Sequence, residues 1–126
     1  METMKTLLLL FFSCSLHAMS IVFIHVGTSP LPRHLGFSIT QARLFNPDCP
    51  IYLIAYQAVL KQQPYADQNI SYVSCESLPR SKIHQTFRDC PNHLKTAGCF
   101  WIWTSERFFY LDELIRSKQL TDVFHL

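Results

Sequence analysis

Two short apolar runs separated by an amphipathic stretch fix most of what this chain can become. Ser20-Ile-Val-Phe-Ile-His-Val26 is apolar almost throughout and rich in β-branched residues, and Gly27-Thr-Ser-Pro-Leu-Pro32 closes it. A short run of that kind, bounded by turn residues, reads as a strand buried on both faces. Cys49-Pro-Ile-Tyr-Leu-Ile-Ala-Tyr56 reads the same way. Between the two, Leu35, Ile39 and Ala42 recur at helical spacing, with Leu44 and Phe45 broadening the face. That pattern predicts one helix from His34 to Phe45, stopped by Asn46-Pro47. Strand, helix and strand in this order form a βαβ unit, which implies parallel pairing and a right-handed crossover.

The rest of the chain extends the alternation. A weaker helical stretch, Gln57 to Gln63, ends at Pro64, and Ile70 to Cys75 reads as a shorter third strand. Ser81 to Phe87 predicts a short helix with Ile83 and Phe87 one turn apart, and Cys90 to Gly98 predicts an irregular loop. The strongest helical pattern runs from Thr104 to Gln119, with Phe108, Leu111, Leu114 and Ile115 on its apolar face. Thr104 or Ser105 is the natural N-cap, Glu106 suits the first turn, and Arg116 and Lys118 suit the last. Asp122 to Leu126 reads as a final strand. The fold class expected from this order is α/β, a mostly parallel sheet with flanking helices.

Composition narrows the function. At 126 residues, with 48% hydrophobic and 16% charged, the chain can bury one core and resists disorder. So low a charged fraction also predicts apolar surface that a membrane, a partner or further chain normally covers. The formal net charge of +2 comes from eleven Lys and Arg against nine Asp and Glu, and the basic residues are scattered. Nucleic-acid binding requires a basic stripe or cluster, so no nucleic-acid partner is expected.

Residues 1–18 carry Lys5 and the apolar run Leu7-Leu-Leu-Leu-Phe-Phe12 and end on Ala18, the pattern of a signal peptide or signal anchor. A buried first strand is the alternative. The run is too short to span a bilayer by itself. The leader predicts that the protein is secreted, or membrane-associated in the secretory route or cell envelope. Residues 19–126 are then the folded domain. Four of the five cysteines, Cys49, Cys75, Cys90 and Cys99, lie in that domain and can pair in three ways. Cys90 with Cys99 is the local bridge expected in an oxidising compartment; in a reducing one all four are small buried hydrophobes. The spacing is too wide for a zinc site. Asn69-Ile-Ser71 is an N-glycosylation sequon, meaningful only where the host glycosylates secreted chains.

Candidate chemistry concentrates after the first strand. The backbone amides and hydroxyls of Gly27-Thr28-Ser29 can hold polar groups of a ligand, and Arg33 and His34 open the next helix, where an anion is favoured. The same glycine can equally serve only to turn the chain, and Arg33 and His34 can equally be a solvated first turn. Neither a Gly-x-Gly-x-x-Gly nor a Gly-x-x-x-x-Gly-Lys motif is present, and no Gly-x-Ser-x-Gly elbow supplies a nucleophile. His25 and His125 read as strand histidines rather than metal ligands. Trp101 and Trp103 suit either core packing or stacking on a sugar or base. Glu106 and Arg107, adjacent on a helix, do not face each other.

Ile21-Val-Phe-Ile-His-Val-Gly27, Pro32-Arg-His-Leu-Gly-Phe-Ser-Ile-Thr-Gln-Ala-Arg43, Asn46-Pro47 and Ile51-Tyr-Leu-Ile54 resemble the opening of a GT-A-type glycosyltransferase domain. Phe100-Trp-Ile-Trp-Thr-Ser-Glu-Arg-Phe-Phe-Tyr-Leu-Asp-Glu-Leu-Ile115 with Val123-Phe-His-Leu126 resembles the segment such domains place before their acidic metal-binding motif. The resemblance implies an incomplete Rossmann-like sheet, the N-terminal half of such a domain. It implies donor-binding for sugar transfer from a nucleotide-diphosphate sugar, with the fragment itself inactive. Donor contacts carry over to Gly27, Thr28 and Arg33. No catalytic residue and no metal ligand carries over, because the sequence ends where the acidic motif would begin, and Mg²⁺ or Mn²⁺ is expected only for a full-length parent. The alternative function is a small non-enzymatic α/β binding protein of the secretory route or cell envelope. A third is an unrelated flavodoxin-like or Rossmann-like nucleotide binder.

Overall fold

The computed structural model describes residues 19–90 and 99–126. The expected leader at 1–18 and most of the expected Cys90–Gly98 loop lie outside the described residues. Four strands form one parallel sheet in the order β3-β2-β1-β4, with β1 at Ser20–His25, β2 at Ile51–Ala55, β3 at Ser71–Ser74 and β4 at Val123–His125. This is a generic Rossmann-like architecture. The chain steps from β1 outwards to β3, then crosses back over the sheet to add β4 on the other side of β1.

Helix α1, Arg33–Phe45, buries Ile39 and Ala42 against Ile21, Phe23, Ile51 and Leu53 on one sheet face. Its last turn is closed by Asn46, whose backbone and side-chain N–H groups both donate to the Ala42 carbonyl. Leu44 and Phe45 do not broaden the buried face: they are 72% and 76% exposed. The expected helix at Gln57 is only one turn, α2 at Gln57–Leu60, before Pro64 ends the stretch. Arg43 holds the neighbouring turns together. Its guanidinium donates to the carbonyls of Asn46, Pro47 and Cys49 and, across the fold, to those of Gln68 and Asn69.

The opposite sheet face is covered by α4, Cys99–Lys118, with α3, Lys82–Arg88, packed against it. Ser81 caps α3, its hydroxyl accepting from the His84 amide at 3.1 Å. Helix α4 starts at Cys99, so Thr104 and Ser105 are interior residues rather than caps. It ends with Gln119 in the left-handed region at φ 53° and the Leu120 amide donating to the Ile115 carbonyl, which satisfies an otherwise unpaired helix-end carbonyl.

Of the expected apolar face of α4, Leu114 is fully buried and Leu111 packs against the same core, but Phe108 is 54% exposed and Glu106, Tyr110 and Glu113 are buried beside Leu114. On α3 the buried residue is likewise His84, and Ile83 is 72% exposed. Polar partners face each other across the seam between the two helices, so each buries polar side chains outside its apolar stripe. Cys49, Cys75 and Cys90 are free thiols, and the side chain of Cys99, the expected partner of Cys90 in an oxidising compartment, lies outside the described residues.

Candidate functional site

Among the described residues, two of the places that gather polar groups bear on function. The first is the α3–α4 seam. His84 and Arg88 stand one turn apart on α3; Glu106, Tyr110 and Glu113 follow a helical stripe on α4. His84 Nε2 lies 2.8 Å from Glu106 Oε1, and His84 Nδ1 lies 2.7 Å from Glu113 Oε1. Glu106 Oε1 also accepts from Arg88 Nε at 2.7 Å and from the Tyr110 hydroxyl at 3.3 Å. Glu113 Oε1 also accepts from the backbone amide of Ser81 at 3.0 Å, tying the cap of α3 to α4.

An imidazole that meets a carboxylate oxygen at each nitrogen bonds both only as a double donor. With His84 and Arg88 cationic and Glu106 and Glu113 anionic, the seam carries two positive and two negative charges and is neutral. Phe109 stacks on His84 at 5.1 Å, and Tyr110 meets it edge-on at 4.8 Å. His84 and Glu106 have no exposed surface, so neither ring nitrogen is left to act on a substrate. Burial, with the nearby carboxylates of Glu76 and Glu106, pushes the Cys75 thiol up to about 12. A thiol held protonated is not a nucleophile. Burial, helped by the Tyr56 hydrogen bond and Glu106, likewise raises the Tyr110 phenol above its ordinary value. The seam is therefore a structural junction.

The second place is a cleft of about 510 Å³ beyond the carboxyl ends of β1 and β2. Thr28, Pro30 and Leu31 line it from the loop after β1. Tyr56, Val59, Lys61, Gln62 and Tyr65 line it from the segment after β2. The loop after β1 is pinned by His25, whose Nε2 lies 2.9 Å from the Ser29 carbonyl. The Tyr65 ring rests on α1 at Gly36, where a Cβ would come within 3.1 Å of it. Burial and the neighbouring Tyr72 raise the Tyr65 phenol above its ordinary value, so it stays a neutral donor.

Of the three residues singled out from sequence, Thr28 lines this cleft. Gly27 is buried at φ 127° with the Trp103 ring against it, a built Cβ falling 3.1 Å from the ring. Trp103 thus packs on the backbone between β1 and α4, while the Trp101 side chain lies outside the described residues. Arg33 is exposed on the first turn of α1. Among the described residues no group of three or more His, Cys, Asp or Glu is placed to hold a metal ion.

Sequence reading missed the seam. Its signal was a basic pair at one-turn spacing and an acidic pair two turns apart, a pattern that on most helices marks a solvated face. Lys61 and Tyr65 carried no motif at all. Comparison with known proteins matches this chain to no family model, no curated protein and no solved structure.

Proposed function

We propose that this chain is a small α/β binding protein of the secretory route or cell envelope, taking a ring-bearing anionic ligand in the cleft beside Thr28. The make-up of that cleft carries the reading. Pro30, Leu31 and Val59 supply an apolar wall, Thr28 and Tyr65 supply hydroxyls, and Lys61 supplies one cation. Such a set orients and neutralises a ligand but offers no paired acid and base for chemistry.

A second reading keeps the ligand but makes the chain the donor-binding half of a glycosyltransferase. Its support is the resemblance around Thr104 to Leu126 and the position of the Gly27–Ser29 loop at the carboxyl end of a central strand. On this reading the ligand is a nucleotide-diphosphate sugar, with phosphates near the amides of Gly27 and Thr28 and near Arg33. Mg²⁺ or Mn²⁺ would be a requirement of a longer parent, and the N-terminus would supply membrane association.

Titrating uridine monophosphate and uridine diphosphate into ¹⁵N-labelled protein tests both. Metal-independent resonance shifts at Thr28, Lys61 and Tyr65, abolished by Lys61→Glu, are the expected result. Shifts extending to Gly27 and Arg33 that need the diphosphate and strengthen with Mn²⁺ favour the second reading. If neither nucleotide moves any cleft resonance, the assignment of an anionic ligand to this cleft is wrong.

A further inference from the structure

Asn69-Ile70-Ser71 is the sole Asn-x-Ser/Thr triplet in the sequence, the other asparagines being followed by Pro47-Asp48 and His93-Leu94. The fold sets this triplet at the start of an edge strand. β3 pairs with β2, from Ser71 opposite Tyr52 to Ser74 opposite Ala55, and its outer edge pairs with no strand among the described residues. Asn69 closes the short 3₁₀ turn Ala66–Gln68, its amide donating to the Ala66 carbonyl at 3.4 Å. Its own carbonyl accepts from Arg43 Nη2 at 2.9 Å.

The backbone of Asn69 is therefore held from inside the fold while its side chain is left out. That side chain is exposed and hydrogen-bonded to none of the described residues. Ile70 turns in against the core under α1, and Ser71 is exposed again. A bulky group on the Asn69 amide would displace no contact, and the Ser71 hydroxyl two residues on faces the same solvent. Arg43 also donates to the Cys49 carbonyl just ahead of β2, so Asn69 lies at the amino end of the sheet. The cleft beside Thr28 lies beyond the carboxyl ends of β1 and β2, and a group at Asn69 leaves it open.

We infer that Asn69 carries an N-linked glycan, an inference that rests on the secretory-route reading proposed above. In the transfer, Asn69 Nδ2 bonds to the anomeric carbon of an oligosaccharide carried on a lipid diphosphate. The bond from that carbon to the diphosphate oxygen breaks, the amide gives up one proton, and the lipid diphosphate leaves. The hydrated glycan then stands beside the open edge of β3, where its bulk opposes pairing with a strand of another chain. Asparagine is also one of the few residues besides glycine that readily adopts the φ of 51° found here, so the test separates the two roles.

The full chain is expressed in cultured eukaryotic cells, once with its own N-terminus and once behind a cleavable foreign signal peptide. A single mobility step removed by peptide N-glycosidase, with Asn69 converted to Asp by mass spectrometry, is expected in both forms. Asn69→Gly, which keeps the left-handed turn, and Ser71→Ala should each lose the step completely, and Ser71→Thr should keep it. The glycosylated chain should match the unmodified chain made in bacteria in its circular dichroism. A step seen only behind the foreign signal peptide upholds the acceptor site and refutes the secretory-route reading. No step in either form, a step that survives Asn69→Gly, or an altered spectrum of the glycosylated chain each overturns the inference.

Discussion

Replacing Glu106 with Gln changes one charge in the α3–α4 seam and leaves the volume unchanged. In the native protein Glu106 Oε1 accepts from His84 at 2.8 Å, Arg88 at 2.7 Å and Tyr110 at 3.3 Å. Its Oε2 is buried without a hydrogen-bond partner among the described residues, so the new amide nitrogen can occupy that side and leave the accepting oxygen in place. What is lost is charge balance: two cations would then face a single carboxylate, with Glu106 and His84 at 0% exposure. Breaking a buried pair costs about 3–5 kcal/mol. The Arg88 side chain is 34% exposed and can recover some hydration, which sets the expectation at the lower end, about 3 kcal/mol. For a chain of this size that corresponds to a fall in Tm of about 12 °C. Urea unfolding followed by circular dichroism at neutral pH measures it, with an unchanged m-value showing that the native surface is intact. The double variant Glu106→Gln/His84→Gln restores balance between Arg88 and Glu113, and should recover at least about 1 kcal/mol relative to the sum of the single changes. A single-variant loss under about 0.5 kcal/mol, or strict additivity in the double variant, would refute the account of the seam as a neutral, mutually dependent set.

Gly27→Ala should destabilise by about 3 kcal/mol, since φ 127° strains any other residue and the new methyl would meet the Trp103 ring; thermal unfolding checks this. Arg43→Ala should cost about 2–4 kcal/mol by removing donors from carbonyls in two separate turns. Arg43→Lys should rescue little of it, because one ammonium cannot span both turns, and chemical denaturation compares the two variants. Stability should also fall at alkaline pH. The folded state holds the protons of Cys75 and Tyr110 above the ordinary values of 9.0 and 10.0, so their contribution is complete below pH 9.0. It is lost as pH rises, by about 1.4 kcal/mol per unit for each group once above its ordinary value. Unfolding free energies from neutral pH to pH 11 read this out, and a flat profile contradicts it.

The local pattern of the chain determined its elements and their pairing. Short apolar runs rich in β-branched residues became β1 and β2, and the spacing of Leu35, Ile39 and Ala42 became α1. Parallel order followed, because a helix between two buried strands leaves only that connection. What the pattern could not give was which polar residues the later helices also bury. Glu106 looks in sequence like a favourable first-turn anion, yet α4 begins at Cys99 and turns Glu106 inward. Its burial depends on His84 and Arg88, donors about twenty residues away on another helix. Hydrophobic periodicity measures the average preference of a stripe for water. It contains no information about a partner that arrives only on folding and makes a charge tolerable inside. The same limit hid the cleft, where Thr28, Lys61 and Tyr65 meet only because β1 and β2 end side by side. It also hid the exposure of Phe124, which arises because the sheet is one strand wider than the helix that covers it, and of Leu44 and Phe45, which fall on the side of α1 away from the sheet.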